Sequence, residues 1–295
     1  MKQINIFIEL TRLNKPIGFM LLFWPCAWGL TLAYYLDPFF GFYFNVGTML
    51  YFKYLLLFFL GAVLMRSAGC IVNDIVDRDL DKKVKRTKKR PIASGKISVS
   101  RSLIYVILLC SIALLILLQF NLKTIILGLG SMFLAFSYPF MKRITYWPQL
   151  FLGLTFNWGI IMSWTSITNS ISIEPIILYI AAIFWTLGYD TIYGLQDIHD
   201  DEIIGVKSTS IKFKNNVKMF VGSCYSLCVL LILVMFFIMG VNKYLLLLMI
   251  PFVAAFIYQI KMFKASNDRS CLIAFKNNNI AGLLILIFIF SFNIV

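Results

Sequence analysis

Residues 50–81 read LYFKYLLLFFLGAVLMRSAGCIVNDIVDRDLD, an apolar run followed by an acidic tail. The run from Leu50 to Ile71 has Lys53 and Arg66 as its charged residues and is long enough to cross about 30 Å of hydrocarbon as a helix. The tail carries four aspartates between Asn73 and Asp81, and such a group is too costly to lie in lipid. The stretch therefore predicts a membrane-spanning helix whose end presents carboxylates at the membrane surface.

Eight further apolar runs occur along the 295-residue chain. With 60% hydrophobic and 14% charged residues and a mean hydropathy of +0.85, the chain cannot be a water-soluble globule. Backbone groups in hydrocarbon must bond within their own segment, and the runs lack the alternation of barrel strands, so we predict an all-α integral membrane protein with nine helices. The predicted spans, numbered 1 to 9 in chain order, are Ile17 to Leu36, Leu50 to Ile71, Leu103 to Phe120, Thr124 to Met141, Leu150 to Ile167, Ile176 to Leu195, Met219 to Val241, Tyr244 to Ile260, and a run of marginal length from about Ile280 to the end.

The Lys and Arg residues indicate how these spans are oriented, because cytoplasmic loops collect positive charge. With the N-terminus in the cytoplasm, 23 of the 27 Lys and Arg residues fall on the inner side, and the C-terminus lies outside. We therefore attribute the formal charge of +14 to topology and expect no nucleic-acid partner. One histidine, His199, and six cysteines without a C-x-x-C pair argue against a zinc site and a disulfide framework.

Nine of the thirteen carboxylates fall in two short segments at the ends of spans 2 and 6. Asn73, Asp77 and Asp81 are spaced i, i+4, i+8 and share one face of a helix, and Asp197 and Asp201 repeat that spacing. The two segments are 124 residues and four spans apart. We treat residues 1–295 as a single membrane domain, with spans 1–4 and 5–8 as a possible pseudo-repeat and span 9 as an accessory helix.

A stripe of carboxylates is costly without a counter-charge, because two like charges 4 Å apart repel by about 4 kcal/mol at an effective dielectric of 20. Oxygen ligands suit Mg²⁺, which commonly joins carboxylates to phosphate oxygens. Basic residues follow both acidic segments, among them Arg86, Arg90 and Lys207. Acid, metal and base together indicate a diphosphate site. The alternative is a solvated helix end whose aspartates pair with neighbouring lysines.

Polar residues inside the spans are expensive and usually functional. Arg66 lies seven residues before Asn73 and shares its face, although an arginine at that depth could also reach the interface. Asp190 lies seven residues before Asp197 and joins the second acidic stripe from inside the membrane, with Tyr193 close to it. Lys142 and Arg143 end span 4 at the same level. These side chains are therefore candidates for a reacting centre.

The segments Asn73-Asp-Ile-Val-Asp-Arg-Asp-Leu-Asp81 and Tyr189-Asp-Thr-Ile-Tyr193 through Asp197-Ile-His-Asp-Asp201 to Gly205-Val-Lys-Ser-Thr209 resemble the two aspartate motifs of the UbiA superfamily of intramembrane aromatic prenyltransferases. Further matches extend over most of the chain: Arg12-Leu-Asn-Lys-Pro-Ile-Gly18, Trp24-Pro25, Arg66-Ser-Ala-Gly-Cys70, Lys85-Arg-Thr87, Arg90-Pro91 and Tyr138-Pro-Phe-Met-Lys-Arg143. One departure is His199, where many relatives carry a further acid.

The resemblance implies nine helices around a central cavity, dependence on Mg²⁺, and transfer of a polyprenyl group from polyprenyl diphosphate to the ring carbon ortho to the hydroxyl of 4-hydroxybenzoate, on the route to ubiquinone. Together with the residues above, it defines three sets. The metal set is Asn73, Asp77, Asp81, Asp197 and Asp201; the diphosphate set is Arg86, Arg90, Lys142 and Lys207; the reacting-centre set is Arg66, Arg143, Asp190 and Tyr193.

Three other functions stay open at this point. The first is a related prenyltransferase with another acceptor, such as a naphthoate or haem, because acceptor choice rests on few side chains. The second is a cation-coupled transporter, which would leave the long basic connections unexplained. The third is a phosphatidyl-alcohol transferase, whose D-G-x-x-A-R signature is not found in the sequence. We expect a multi-pass protein of the bacterial inner membrane, since no transit peptide or cleavable signal is visible.

Overall fold

The computed structural model describes residues 2–36 and 44–294, and this part of the chain forms helices and the segments that join them. Within it, nine helices are long and apolar enough to cross a membrane, which confirms the predicted number and a multi-pass membrane protein. In chain order these spans are Ile17–Leu36, Phe44–Val76, Val99–Leu117, Leu122–Ile144, Pro148–Asn157 with Gly159–Thr168, Ile173–Gly194, Val217–Ile238, Lys243–Met249 with Ile250–Met262, and Asp268–Phe290. The orientation of the N-terminus stays a prediction.

Shorter helices lie between and beside the spans. They are Lys2–Thr11 before span 1, Arg78–Asp81 after span 2, and Leu195–Asp197, Ile198–Ile204 and Thr209–Lys212 after span 6, with Ser291–Ile294 following span 9. Most of these short helices carry, or directly follow, the two acidic segments. They determine how the carboxylates are held at the ends of spans 2 and 6.

Span 9 begins at Asp268, well before the predicted start near Ile280, so that boundary was wrong. The predicted run began after Asn278 and Asn279, whose amides are costly in hydrocarbon unless they are hydrogen-bonded. In the structure, Asn278 Oδ1 accepts a hydrogen bond from Trp185 Nε1 at 2.8 Å, and Asn279 Oδ1 accepts one from Trp24 Nε1 at 2.9 Å. The indole donors satisfy the amides inside the bundle, and the polar turn remains helical.

Consecutive spans pack side by side, and span 9 closes the arrangement against span 1. Spans 1 and 5 also pack closely, because a Cβ on Gly29 would lie 2.4 Å from Ile160 O and one on Gly159 would lie 2.3 Å from Cys26 Sγ. Such close backbone approach is typical of helix packing in membranes. There the hydrophobic effect does not drive association, and small residues let the helices pack tightly. Many exposed side chains of spans 3 and 4 are large and apolar, as expected for a surface in contact with lipid.

Candidate active site

The first acidic segment keeps its helical register past the end of span 2. The helix ends at Val76, but Asp77 N donates to Asn73 O at 2.9 Å and Asp81 N donates to Asp77 O at 2.8 Å. This continuous bonding puts Asn73, Asp77 and Asp81 on one face, as the spacing predicted. Asp79 lies on the other side of the segment and is 75% exposed.

The second acidic segment continues span 6 through a short 3-10 turn into the helix Ile198–Ile204. That helix ends at Gly205, whose φ of 74° is the left-handed conformation that favours glycine after a helix. Asp197 and Asp201 are close enough for their charges to interact. Both acidic segments are therefore short extensions of membrane spans, and the second is capped by Gly205.

A buried polar cluster holds the Ser208–Ser210 segment against span 6. Thr209 Oγ1 and Thr191 Oγ1 lie 2.6 Å apart, and Ser210 Oγ donates to Thr191 O at 2.8 Å. The backbone N–H of Thr209 donates to Gln149 Oε1 at 3.0 Å. Gly194 leaves room for this contact, because a Cβ there would lie 2.4 Å from Ser210 Oγ. The part of the second motif that follows Gly205 thus anchors the acidic extension.

Asp74, which the sequence analysis assigned no role, is buried between two arginines. Its Oδ1 lies 2.5 Å from Arg12 Nη2 and 3.1 Å from Arg90 Nη1. Arg90 also contacts Asp81 Oδ2 at 2.8 Å. Arg12 begins one of the quoted motifs and was counted among the cytoplasmic Lys and Arg residues, but it was not predicted to belong to the site. Its φ of 56°, unusual for a residue other than glycine, is the structural sign that this arginine is held in a special conformation.

Lys142 and Arg143 reach the first acidic segment from the end of span 4. Lys142 Nζ is paired with Asp77 Oδ2, while Arg143 Nη2 donates to Val76 O at 2.7 Å and lies 3.9 Å from Asp77 Oδ1. Asp77 is 1% exposed. Burial raises the pKa of its carboxyl group, and the charge of Lys142 opposes that rise. Asp77 is therefore a buried carboxylate that depends on a neighbouring positive charge.

Arg86 joins the two acidic segments. Its Nε donates to Asp197 Oδ1 at 2.7 Å, its Nη2 bonds to Asp197 Oδ2, and its Nη1 donates to Tyr193 Oη at 3.1 Å. The preceding amide, Lys85 N, donates to Asp200 Oδ2 at 3.0 Å. Burial lowers the pKa of the Arg86 guanidinium, but the bonds to Asp197 and Tyr193 outweigh that effect and the net shift is upward. The connection after span 2 is thus bound to the end of span 6.

Arg66 of span 2 and Asp190 of span 6 both lie within membrane spans. The guanidinium of Arg66 is 5.3 Å from the ring centre of Phe156, and a Cβ on Gly18 would lie 2.9 Å from Arg66 Nε. The charge of Arg66 acts on Asp190, and the charges of both act on Tyr138, a residue given no role in the sequence analysis. Arg66 is therefore directed into the protein interior and not toward the interface, the alternative that the sequence left open.

Lys207 differs from the other members of the diphosphate set. Its Nζ donates to Ile144 O at 3.1 Å and lies 5.7 Å from the ring centre of Tyr146, and its backbone N–H donates to Lys142 O at 2.9 Å. These contacts tie the second motif to the end of span 4 and include no carboxylate. An open cavity of about 380 Å³ lies beside them, lined by Val76, Asp79, Leu80, Lys142, Arg143, Ile204, Gly205 and Val206.

The predicted metal ligands are carboxylates and one amide, donors that a hard cation such as Mg²⁺ prefers. In residues 2–36 and 44–294, no three acids, histidines or cysteines lie close enough together to hold a metal ion. Three of the four predicted acids are instead paired with bases: Asp77 with Lys142, Asp197 with Arg86 and Asp81 with Arg90. Asp77 Oδ1 is buried and has no hydrogen-bond partner in the described part of the chain. The donor set fits a divalent cation, provided that these basic side chains exchange partners.

The UbiA prenyltransferase family matches residues 19–290 of the chain. The mitochondrial 4-hydroxybenzoate polyprenyltransferase of Arabidopsis thaliana is 47% identical over 219 residues, which is 74% of this chain and 51% of that protein. The chain thus spans about half the length of that relative. The 4-hydroxybenzoate octaprenyltransferase of Vibrio atlanticus is 39% identical over 284 residues, 96% of this chain and 95% of that protein.

Solved structures share the fold. A UbiA homolog from Aeropyrum pernix K1 superposes with a TM-score of 0.74 at 21% identity, covering 93% of this chain and 98% of that one. A UbiA homolog from Archaeoglobus fulgidus, bound to DMAPP and Mg²⁺, superposes with a TM-score of 0.68 at 18% identity, covering 98% and 99%.

Proposed function

The chain belongs to the UbiA prenyltransferase family, and from that membership we propose that it transfers a polyprenyl group from polyprenyl diphosphate to 4-hydroxybenzoate in a Mg²⁺-dependent reaction. The new bond forms at the ring carbon ortho to the hydroxyl, a membrane step of ubiquinone biosynthesis. Relatives named for this acceptor, at 39–47% identity, support the choice of substrate. A homolog of the same fold, bound to DMAPP and Mg²⁺, supports the choice of donor and metal.

The observation that carries the proposal is the convergence of the two acidic segments at one end of the bundle. Arg86, which follows the first segment, binds Asp197 in the second, and Lys142 pairs with Asp77 while its charge also acts on Asp201. Residues far apart in the chain thus bring acids and bases together at this end of the bundle. That charge pattern is complementary to a metal–diphosphate unit.

We assign the diphosphate to the region between these acids and bases. Asn73, Asp77, Asp81, Asp197 and Asp201 would hold the metal, which supplies positive charge to the leaving diphosphate when bound. When the metal and the diphosphate are bound, three bases would exchange their carboxylate partners for the remaining phosphate oxygens and neutralise them: Arg86, Arg90 and Lys142. Lys207 keeps a supporting role, because its side chain is bonded to the connection after span 4.

We assign the acceptor to the intramembrane pair. The guanidinium of Arg66 can hold the carboxylate of a hydroxybenzoate, and Asp190 can accept a hydrogen bond from its phenolic hydroxyl. Hydrogen bonding of that hydroxyl to a carboxylate raises the electron density at the ortho carbon. The charges of Arg66 and Asp190 both act on Tyr138, which can orient the ring. Arg143 is exposed and donates to Val76 O, so it is less suited than Arg66 to direct contact with the acceptor.

In the reaction, the allylic carbon–oxygen bond breaks, the ortho carbon forms a bond to the allylic carbon, and the ring carbon then loses a proton. Water would trap the allylic cation as an alcohol. The apolar spans exclude water, and aromatic rings near the pair, such as Phe156, can stabilise the cation. The family fold is therefore suited to holding the reacting carbon in a dry environment.

We further propose that the membrane is a bacterial inner membrane. Bacterial relatives from Vibrio atlanticus and Pseudomonas fluorescens align over 95% and 91% of their own length, which supports this location. Mitochondrial relatives of higher identity make a mitochondrial inner membrane the alternative. Immunodetection after fractionation of the source cells distinguishes the two.

The proposal is tested by incubating the purified, lipid-reconstituted protein with labelled polyprenyl diphosphate and a panel of aromatic acids, with Mg²⁺ or with EDTA. Prenylated 4-hydroxybenzoate formed only with the metal supports it. Preferential use of another acceptor would refute 4-hydroxybenzoate as the substrate but would still support prenyl transfer. Vesicle uptake of a solute without any covalent product would instead indicate a transporter.

A further inference from the structure

Phe275 on span 9 packs against the residues that flank Asp190. Its ring centre lies 4.5 Å from that of Tyr193 and 5.8 Å from that of Tyr189. Tyr189 in turn makes an edge contact with Trp185 at 4.9 Å. Phe275 is buried, so the ring is held in a fixed environment. Span 9 therefore forms one wall beside the second acidic motif.

Tyr193 connects this wall to the diphosphate end of the site. Its hydroxyl accepts a hydrogen bond from Arg86 Nη1 at 3.1 Å, and the Arg86 guanidinium lies 5.5 Å from its ring centre. Arg86 is the residue that binds Asp197 through two nitrogen atoms. The position of the Tyr193 ring thus influences how Arg86 meets the carboxylate.

Span 9 is itself fixed by hydrogen bonds from three indoles. Trp185 and Trp24 donate to Asn278 and Asn279, and Trp28 Nε1 donates to Gly282 O at 2.9 Å. Each of these groups would be costly to leave unbonded inside the bundle. The three bonds determine the rotation and depth of span 9, and with them the position of Phe275.

We propose that Phe275 is a positioning residue: it holds the Tyr193 ring, and through the hydrogen bond from Arg86 to the Tyr193 hydroxyl it keeps the Arg86 guanidinium at the diphosphate end of the site. The structural part of this inference stands on the contacts above, and its catalytic consequence rests on the proposed function. An aromatic pair contributes roughly 0.5–1.5 kcal/mol beyond area burial, which corresponds to about a two- to tenfold change in an equilibrium.

The first test needs no substrate. Hydrogen–deuterium exchange of the reconstituted protein reports on residues 82–90, where Lys85 N–H is bonded to Asp200. Phe275→Ala should accelerate exchange in this segment by about two- to tenfold. Phe288→Ala is the matched control, because Phe288 is a buried phenylalanine of the same helix that contacts Phe236, Phe252 and Phe292. Equal exchange of this segment in wild type and Phe275→Ala would overturn the proposal.

The second test is a double-mutant cycle with Tyr193→Leu, read as the KM for polyprenyl diphosphate. If Phe275 acts through Tyr193, Phe275→Ala raises KM in the wild-type background by about the same factor as in the exchange experiment and has less than about a twofold effect once Tyr193 is replaced. Full additivity would show that Phe275 acts by another route and would overturn the proposal. Absence of prenyl transfer by the wild-type protein would refute the proposed function. The exchange experiment would still show whether Phe275 holds the segment that carries Arg86.

Discussion

Replacement of Asp77 by asparagine separates the proposed metal site from a merely structural ion pair. If Asp77 binds a metal, each unit charge lost at about 4 Å costs about 4 kcal/mol at an effective dielectric of 20, which is close to a 10³-fold loss of rate. We therefore expect kcat/KM of Asp77→Asn to fall by at least about 10³-fold.

The expected cost to stability is much smaller. Removing one member of a fully buried ion pair costs about 3–5 kcal/mol. Here Lys142 is 26% exposed and can turn toward water, and burial already raises the pKa of Asp77, so its ionised form is not fully stabilised in the fold. We expect about 1 kcal/mol, a fall in Tm of a few degrees. Activity should thus be lost from a protein that remains folded.

The assay measures initial rates of prenylated product in lipid nanodiscs at several Mg²⁺ concentrations, with thermal unfolding followed in parallel. Asp79→Asn is the matched control: it lies two residues further along, is 75% exposed, and pairs with Lys82 at 3.1 Å and Arg78 at 3.5 Å. We expect the rate of this variant to stay close to wild type. A rate above one tenth of wild type in Asp77→Asn, or an equal loss in Asp79→Asn, would refute the assignment of Asp77 to the metal.

Three further substitutions probe the support of the site. Gly194→Ala forces a Cβ to within 2.4 Å of Ser210 Oγ and should destabilise the protein by about 1–2 kcal/mol, seen as a lower Tm; an unchanged Tm would mean that the contact relaxes freely. Asn278→Leu leaves a buried indole N–H unbonded and should cost about 1–2 kcal/mol in the same measurement, whereas a stable variant would argue against the indole bonds fixing span 9. Gly18→Ala displaces Arg66 and should raise the KM for the aromatic acid while the KM for the diphosphate stays constant; a rise in both would remove Arg66 from the acceptor assignment.

Much of the fold could be predicted because hydropathy is a local property. The sum of side-chain transfer energies over about twenty consecutive residues identifies a span, whatever the rest of the chain does. The same logic failed at span 9, where Asn278 is expensive in lipid but is satisfied by Trp185, a residue of span 6. No count along the sequence reveals a partner that is supplied by another helix.

The acids were likewise visible in the sequence, and the helical spacing of Asn73, Asp77 and Asp81 predicted the face that they share. Which base meets which acid could not be predicted. Twenty-seven Lys and Arg residues are available, and charge alone does not distinguish them. Arg12 was interpreted as a topology signal, yet its guanidinium lies 2.5 Å from Asp74.

By itself, the sequence determined that this is a nine-span membrane protein with two acidic helix ends, and its motifs resembled those of one prenyltransferase superfamily. Only the tertiary structure decided that Arg86 reaches Asp197, that Lys142 pairs with Asp77, and that Phe275 of span 9 packs against Tyr193. The physical reason is the range of the interactions. Partition into lipid acts on each segment independently, whereas a hydrogen bond or ion pair requires atoms within about 3–4 Å and therefore depends on how distant segments pack.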